Sequence, residues 1–491
     1  MTTIAATERV PYLRLLQALV AFFVLLRVLY VFFAGPSPDE AYYWLWGQHP
    51  GLSYYDHAPF HAWLLGISDL ILGRSLFGLR WMTLATLAGT AWIFRIWAER
   101  YAGADWPRWF WPGLVILLAS PTFGIFSALA FHDYMLVFLV LVSAHFFLTF
   151  FTDTVTQGRG KTIDLVLAAA LIGCAGLTKY NGVFLGLGVV AAIITYRPLR
   201  PLLRDWRLYA AGAVTLAIQI PVLYWNATQG WPSFRFHFSE RQTGGWLTLN
   251  PMTVLEFIGV SLLLISPFAI WAMMRFFLSK PDVPFEKNGR VLAAWTFALS
   301  TAVFLFISLS NTSWWWWNIV AYVVALPFLA KHLRGWAFWA HAVYGAIFGL
   351  YLLISSTVFP ILIAFGGEDN FRLSLYGWDQ IEAPIDAAIA EYHPDFIASP
   401  GPEVGAIVAF AIDDPNLRAL TFQRNQLNYW WNREEFRGKS AIVVIEQTRT
   451  TRDFEDQFTT VTPVGEVPIV RFGRGLNRYK LYFAEGYNPH G

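Results

Sequence analysis

Long apolar runs separated by short polar breaks dominate the first three quarters of the chain. A helix needs about 20 mostly apolar residues to cross about 30 Å of hydrocarbon. Runs of that kind lie near 11–34, 80–97, 109–128, 134–152, 163–178, 181–196, 207–227, 254–277, 290–310, 316–331 and 336–362. The pattern predicts a mainly α, polytopic membrane body with about eleven transmembrane helices. Arg9 and Arg14 precede the first run and no small-residue cleavage signal follows it, which reads as a retained signal anchor. The stretch 60–79 is apolar enough to cross but carries His61, Asp69 and Arg74. If it lies flat, Arg95, Arg100, Lys161, Arg200, Lys287 and Arg334 all fall in inside loops, with Arg74, Arg80, Lys179, Arg235 and Arg241 outside. If it crosses, that bias reverses. The positive-inside rule therefore puts 60–79 in the outer interface and the N-terminus in the cytoplasm. The loops 35–60, 129–133, 228–253 and 311–316 then share the outer face.

Beyond the last long run the pattern changes, near Gly366-Gly367. Residues 1–366 hold 23 Lys+Arg and 15 Asp+Glu, whereas 367–491 hold 12 and 18. Ala441–Ile445, Val467–Phe472 and Arg478–Phe483 read as strands, and Asp379–Tyr392 as a helix. The expected organisation is a transmembrane body over 1–362 and a soluble α/β domain over 363–491 on the outer side.

Composition narrows the class. Of 491 residues only 14% are charged and 56% are hydrophobic, against about 25% charged in soluble domains. This excludes a single soluble domain and intrinsic disorder. The 24 Trp and 42 Phe suit aromatic belts. A net charge of +2 gives no basic field for nucleic acid. The single cysteine, Cys174, excludes an intramolecular disulfide and a Cys-cluster metal site. No P-loop, dinucleotide fingerprint, His-Glu-x-x-His or nucleophile elbow is present, and no internal repeat.

The unusual polar residues crowd the predicted outer loops. Gly35-Pro-Ser-Pro-Asp39-Glu40-Ala-Tyr42 follows the first helix. Asp39 there is either an N-cap or an acceptor-binding carboxylate. Tyr54-Tyr55-Asp56-His57-Ala58-Pro59 marks a re-entry into the interface, as an aromatic anchor or as a metal or phosphate site. Asp133, in Phe131-His132-Asp133-Tyr134, either caps the next run or belongs to a site. Lys179, in Leu177-Thr-Lys-Tyr-Asn-Gly182, either snorkels or faces an anion. Arg235, His237, Glu240 and Arg241 suit headgroups or a substrate phosphate. Asn311 to Asn318, with four consecutive tryptophans and Tyr322 one turn later, reads as an aromatic belt with polar tips. In the soluble domain the best polar candidates are Arg424, Asn425 and Gln426.

Taken together, Asp39-Glu40, Tyr-Tyr-Asp56-His57-Ala-Pro59, Trp63, Arg80, His132-Asp133 and Gly176-Leu-Thr-Lys179-Tyr-Asn-Gly182 resemble the integral-membrane GT-C glycosyltransferases. The branch is the one with the protein O-mannosyltransferases, the ArnT aminoarabinose transferases and bacterial galacturonosyltransferases acting on lipid A or core oligosaccharide. The resemblance covers about 1–362, and Arg424-Asn-Gln-Leu-Asn-Tyr-Trp430 resembles that bacterial subgroup's soluble domain. It implies a GT-C-like fold and transfer of a monosaccharide from a polyprenyl-phosphate-linked donor to a glycolipid acceptor at the periplasmic face of the bacterial inner membrane. Asp39 matches the family's catalytic Asp, and Asp133 a second loop carboxylate that positions substrate. His57, Lys179, Arg241 and Tyr322 are the implied donor-phosphate ligands; Glu40, Tyr42 and Tyr55 are implied substrate contacts. Asp56 sits at an acidic position that can share a divalent metal with a later histidine, here His237 or with Glu240. Tyr42 and Ala58-Pro59 depart from the ArnT pattern, which has Arg and Pro-Pro there. Inverting single displacement is expected; protein O-mannosylation and transport of a lipid-linked sugar are the alternatives.

Overall fold

The computed structural model describes residues 6–241, 249–367 and 373–490, so 242–248 of the predicted 228–253 loop lie outside the described residues. The chain divides into two compact units, and neither is a continuous stretch. The first comprises Met1–Val28, His57–Phe60 and Trp81–Leu350; the second comprises Leu29–Asp56, His61–Arg80 and Tyr351–Gly491. A cut at 362/363 follows the chain, whereas the second compact unit also takes in Leu29–Asp56, His61–Arg80 and residues 351–362.

The expected helical runs are present, and prolines cut several of them. Those needed below are α1 (Ala6–Phe33), α2 (Pro38–Gln48), α3 (Phe60–Leu72), α4 (Leu76–Ala102), α5 (Pro107–Ala119), α6 (Pro121–Phe126), α7 (His132–Gln157), α8 (Thr162–Thr178), α9 (Val183–Thr195), α10 (Trp206–Ile218), α11 (Ile220–Thr228), α12 (Pro232–Arg235), α13 (Pro251–Ile265), α14 (Pro267–Leu278) and α15 (Pro284–Ser308). The four-residue α16 (Val320–Val323) and the long α17 (Trp336–Thr357) follow. Among the described residues four helices can cross a membrane by length and composition: Pro11–Phe33, His132–Gln157, Pro284–Ser308 and Trp336–Thr357. The number rises to seven if three bent pairs each count as one span, with bends of 104°, 45° and 93°. The chain is thus a multi-pass membrane protein whose spans are more broken than a count of eleven regular helices implies. The 93° bend separates α13 from α14 at Ser266-Pro267, where Ser266 has φ 88° and Pro267 opens the next helix. Proline lacks the N–H that would continue the ladder, so the break falls there.

The run 316–331 is a correction. It forms short 3-10 turns at Trp315–Asn318 and Leu326–Lys331 around α16. Ile319 to Leu326 are buried at 0–3% exposure. Its apolarity reflects burial inside protein, and periodicity alone does not separate that from a span. The stretch 60–79 does not cross as one helix: α3 has 13 residues, about 20 Å of length against about 30 Å of hydrocarbon.

In the first unit α7 and α8 form an antiparallel hairpin closed by Gly158 at φ 80°, so the start of α7 and the end of α8 lie at one end. In the second unit α2 and α3 cross with their backbones in contact. A Cβ on Gly47 would sit 2.6 Å from the Gly66 nitrogen. The C-terminal part is a five-stranded mixed sheet in the order β2-β1-β3-β5-β4, from β1 (Phe396–Ser399), β2 (Arg418–Ala419), β3 (Ala441–Glu446), β4 (Thr460–Arg471) and β5 (Arg474–Glu485). The β1–β2 and β1–β3 pairs are parallel, and β5 is antiparallel to β3 and β4. The three expected strands are β3, β4 and β5. The expected helix begins slightly later, at Glu382–Tyr392 (α18), and an apolar helix at Pro402–Ile412 (α19) adds to it.

Candidate functional site

The second unit holds Asp39. Its helix, α2, is capped by Ser37: the Ser37 hydroxyl accepts from the Glu40 N–H at 3.3 Å and the Ser37 N–H donates to the Glu40 carboxylate at 3.0 Å. This capping box removes the reading of Asp39 as the N-cap. Asp39 lies in the first turn of α2, half-buried, where the helix dipole favours a carboxylate. Glu40 has a different surrounding from that of a substrate contact. It is fully buried and takes Nε and Nη2 of Arg80 at 2.7 and 2.6 Å. Arg80 also donates to the carbonyls of Ala34 and Gly35, at 2.6 and 2.7 Å. Both buried charges are therefore matched, and the pair ties the end of α1 to the start of α2.

Tyr42 and Tyr55, the other implied substrate contacts, are buried. The Tyr42 hydroxyl accepts from the Gln426 N–H at 2.9 Å, and the Gln426 side-chain oxygen accepts from the Tyr55 N–H at 2.6 Å. Burial, and next the Asp56 carboxylate, pushes the Tyr42 phenol well above its ordinary pKa. In α3, Asp69 accepts from the Trp44 indole at 2.9 Å. Arg74 donates to the last carbonyls of α19, Phe410 and Ala411, at 2.5 and 2.6 Å. His61 is fully buried, its ring edge-on to Tyr43 at 5.6 Å. The polar residues that made 60–79 ambiguous all have protein surroundings.

The first unit holds the cations and imidazoles. Lys179 follows the end of α8, and its ammonium donates to both oxygens of Asp133, at 2.8 and 2.9 Å, in the first turn of α7. Phe131, without a side-chain cap bond, occupies the N-cap of α7, so Asp133 is an ion-pair partner rather than a cap. Lys179 pairs inward rather than snorkelling. Next to Asp133, His132 stacks on His57 with ring centroids 4.4 Å apart and planes at 22°. His237 sets its edge toward His57 at 6.5 Å and toward Tyr180 at 5.3 Å. It lies in a π-helical turn, Phe236–Glu240, after α12, a rare geometry that concentrates at functional sites. Glu240, in the same turn, is exposed. Arg241 ends this segment with its guanidinium 4.1 Å from the Trp317 ring centroid, a cation–π stack. The Trp317 carbonyl accepts from Asn181 at 2.7 Å. Of the tryptophan run, Trp317 is therefore built into this cluster, while Trp314 is exposed as a belt residue would be.

Tyr322 is buried, and its hydroxyl accepts from Asn318, which in turn accepts from Ser300 at 2.6 Å. Among the described residues no group of three or more His, Cys, Asp or Glu is arranged to hold a metal ion, and the expected set of Asp56, His237 and Glu240 is no exception. Sequence reasoning missed the partnership of Arg80 with Glu40 and the tryptophan platform under Arg241. It placed Gln426 among weak candidates; what marks that residue is its burial, which sequence does not display.

Residues 56–225 match the family model for dolichyl-phosphate-mannose-protein mannosyltransferase. No curated relative matches the chain by sequence. Two solved structures share the fold over almost the whole length. One is ArnT from Cupriavidus metallidurans bound to undecaprenyl phosphate, at 17% identity and a TM-score of 0.59, covering 97% of this chain and 98% of that one. The other is the same protein in the apo state, at 16% identity and 0.58, with the same coverage. The chain shares the fold of these ArnT structures. Its architecture is ArnT-like, with the small C-terminal sheet domain included.

Proposed function

We propose that the chain is a glycosyltransferase that takes a monosaccharide from a polyprenyl-phosphate-sugar donor and transfers it to an envelope glycolipid, such as lipid A or core oligosaccharide. In this reading the reaction runs at the periplasmic face of the bacterial inner membrane, with the N-terminus cytoplasmic and the C-terminal domain periplasmic. One observation carries it: His57, His132, His237, Lys179 and Arg241 come together from separate segments at one end of the first unit. Such a group suits a phosphate monoanion on a lipid. ArnT was solved with undecaprenyl phosphate bound, which supports the same donor class here.

As the bond between the anomeric carbon and the donor phosphate breaks, positive charge grows on the sugar ring and negative charge on the leaving phosphate. Arg241, held over the Trp317 ring, and the His57 and His237 imidazoles stabilise that negative charge. Asp133 fixes the Lys179 ammonium beside them, so its contribution acts through the lysine. Asp39 orients the acceptor hydroxyl and takes its proton as the new carbon–oxygen bond forms from the opposite face. The products are the glycosylated acceptor, with inverted anomeric configuration, and free polyprenyl phosphate. A prenyl tail stays in hydrocarbon, so no nucleotide-binding loop is needed.

The test uses washed membranes and a radiolabelled polyprenyl-phosphate sugar. Asp39→Asn is expected to abolish transfer while the protein still folds and inserts; near-normal transfer by this variant sinks the assignment. Movement of label across the bilayer without product identifies a transporter instead. A second reading, protein O-mannosylation, is favoured by the family match over 56–225, and a peptide acceptor offered beside lipopolysaccharide separates the two. Mass spectrometry of envelope glycolipids with and without the protein names the sugar.

A further inference from the structure

One side chain of the C-terminal domain, Gln426, is buried against the helix that carries Asp39. Gln426 opens a 3-10 turn, Gln426–Tyr429, that Asn425 and Asn428 cap reciprocally. Its own exposure is 3%. From this turn it makes two bonds to different segments: its N–H to the Tyr42 hydroxyl on α2, and its side-chain oxygen to the Tyr55 N–H just before Asp56. Aromatic contacts flank the turn. Trp430 stacks on His49 at 4.4 Å, and Tyr429 lies 6.2 Å from Tyr55. The His49 ring also bonds the Pro415 carbonyl at 2.8 Å.

Helix geometry shows what these bonds control. Residues advance by about 100° around a helix. Taking Asp39 as the origin, Glu40 lies at about +100° and Tyr42 at about −60°. Asp39 is thus flanked by two anchored positions, Glu40 locked to Arg80 and Tyr42 locked to Gln426. Rotation of α2 about its axis is what would swing the Asp39 carboxylate. With Glu40 alone held, the helix can still roll about that point; with both held, it cannot.

We propose that Gln426 is a positioning residue for Asp39: through Tyr42 it fixes the roll of α2, and through Tyr55 it fixes the turn that ends in Asp56. The role of the C-terminal domain is then to complete the mount of the acceptor-side carboxylate. This rests on the transferase reading above. Displacing a catalytic group by about 1 Å can lower turnover about 100-fold without touching the substrate itself.

The experiment measures transfer by the full-length protein in nanodiscs with saturating and limiting donor, alongside thermal unfolding. Two variants remove the two bonds separately. Gln426→Met keeps volume and the backbone N–H but loses the acceptor for Tyr55, and Tyr42→Phe removes the hydroxyl that accepts from the Gln426 N–H. Each is expected to lower kcat about tenfold, in the range typical of a single mispositioned group, with donor KM within about twofold. The melting temperature should fall by only a few degrees, as for one lost hydrogen bond. Gln426→Glu, which retains an acceptor oxygen at the same reach, is expected to recover turnover relative to Gln426→Met. Wild-type kcat in both Gln426→Met and Tyr42→Phe overturns the proposal, as does a loss explained wholly by reduced folded protein in all three variants. Asp39→Asn is run in parallel. If it transfers normally, the transferase reading itself has failed; if it is silent while Gln426→Met and Tyr42→Phe turn over normally, only the positioning role has failed.

Discussion

The two units handle charge in opposite ways. The first gathers cations and imidazoles: Lys179 is held by both oxygens of Asp133, and Arg241 lies over the face of Trp317. The second gathers acids and matches the buried one completely, Glu40 against Arg80, with neutral bonds around it from Tyr42, Tyr55 and Gln426. In the first unit the guanidinium of Arg241 lies over an aromatic ring and directly follows the turn that carries His237. A fully buried ion pair whose two charges meet each other is, by contrast, what a rigid mount requires. The comparison separates a cluster of cations and imidazoles from a sealed ion pair that holds α2, and Glu40 falls on the side of the mount.

Breaking the mount should give the largest effect. Arg80→Met leaves the Glu40 carboxylate buried and unmatched, and removing one partner of a buried pair costs about 3–5 kcal/mol. Little folded protein is expected in detergent extracts, by fluorescence-detected size exclusion and thermal melting. The double variant Glu40→Gln/Arg80→Met should recover much of that loss, since the uncompensated charge is gone. A single variant as stable as the wild type would show that the pair does not hold α2.

The same test on the first unit is expected to give a smaller loss of stability and a larger loss of function. Asp133→Asn leaves Lys179 without its carboxylate, but the lysine side chain retains 11% exposure and the Asn keeps one acceptor. About 2–3 kcal/mol is the expected cost, below that of a fully sealed pair. Asp133→Asn/Lys179→Met should melt close to the wild type yet transfer poorly. Full transfer by that double variant would make the pair purely structural.

The contrast also explains which parts were legible in the chain. The apolar helices of the body follow from local hydropathy, which is read within a window. Strands β3, β4 and β5 show the same local pattern. The individual site residues were visible because a charge next to an apolar run is conspicuous. Their partners were not. Glu40 meets Arg80 across 40 positions, Lys179 meets Asp133 across 46, and Gln426 meets Tyr55 across 371. No local period encodes such pairs. For the same reason the run 316–331 resembled a span: burial in protein and burial in lipid select the same residues.

A gentler change sharpens the reading of the first unit. Arg241→Lys keeps the charge but loses the planar stack on Trp317, worth about 0.5–2 kcal/mol. Donor KM is expected to rise about tenfold with kcat little changed, as for binding lost equally from ground and transition states. Trp317→Leu should mimic it. An unchanged donor KM in both would take Arg241 out of the phosphate-binding group.

The smallest effect concerns pH and belongs to the second unit. Tyr54 stacks on Trp46 at 4.8 Å, and its hydroxyl donates to the Trp46 carbonyl at 2.9 Å. Burial pushes its phenol up to about 12 from 10.0, slightly opposed by the bond from the Gly51 N–H. A raised value for an acid means the folded state favours the neutral form. That stabilisation is fully present below the unfolded value near 10 and is lost as pH rises from there through about 12. Melting temperature should therefore be flat to about pH 9.5 and decline above it, with Tyr54→Phe declining less steeply. The range pH 7–9 lies below this window, so transfer there should not follow the Tyr54 change. If Tyr54→Phe altered the pH profile of transfer in that lower range, the tyrosine would belong with the residues that meet substrate, and the division between mount and reacting groups would have to be redrawn at α2.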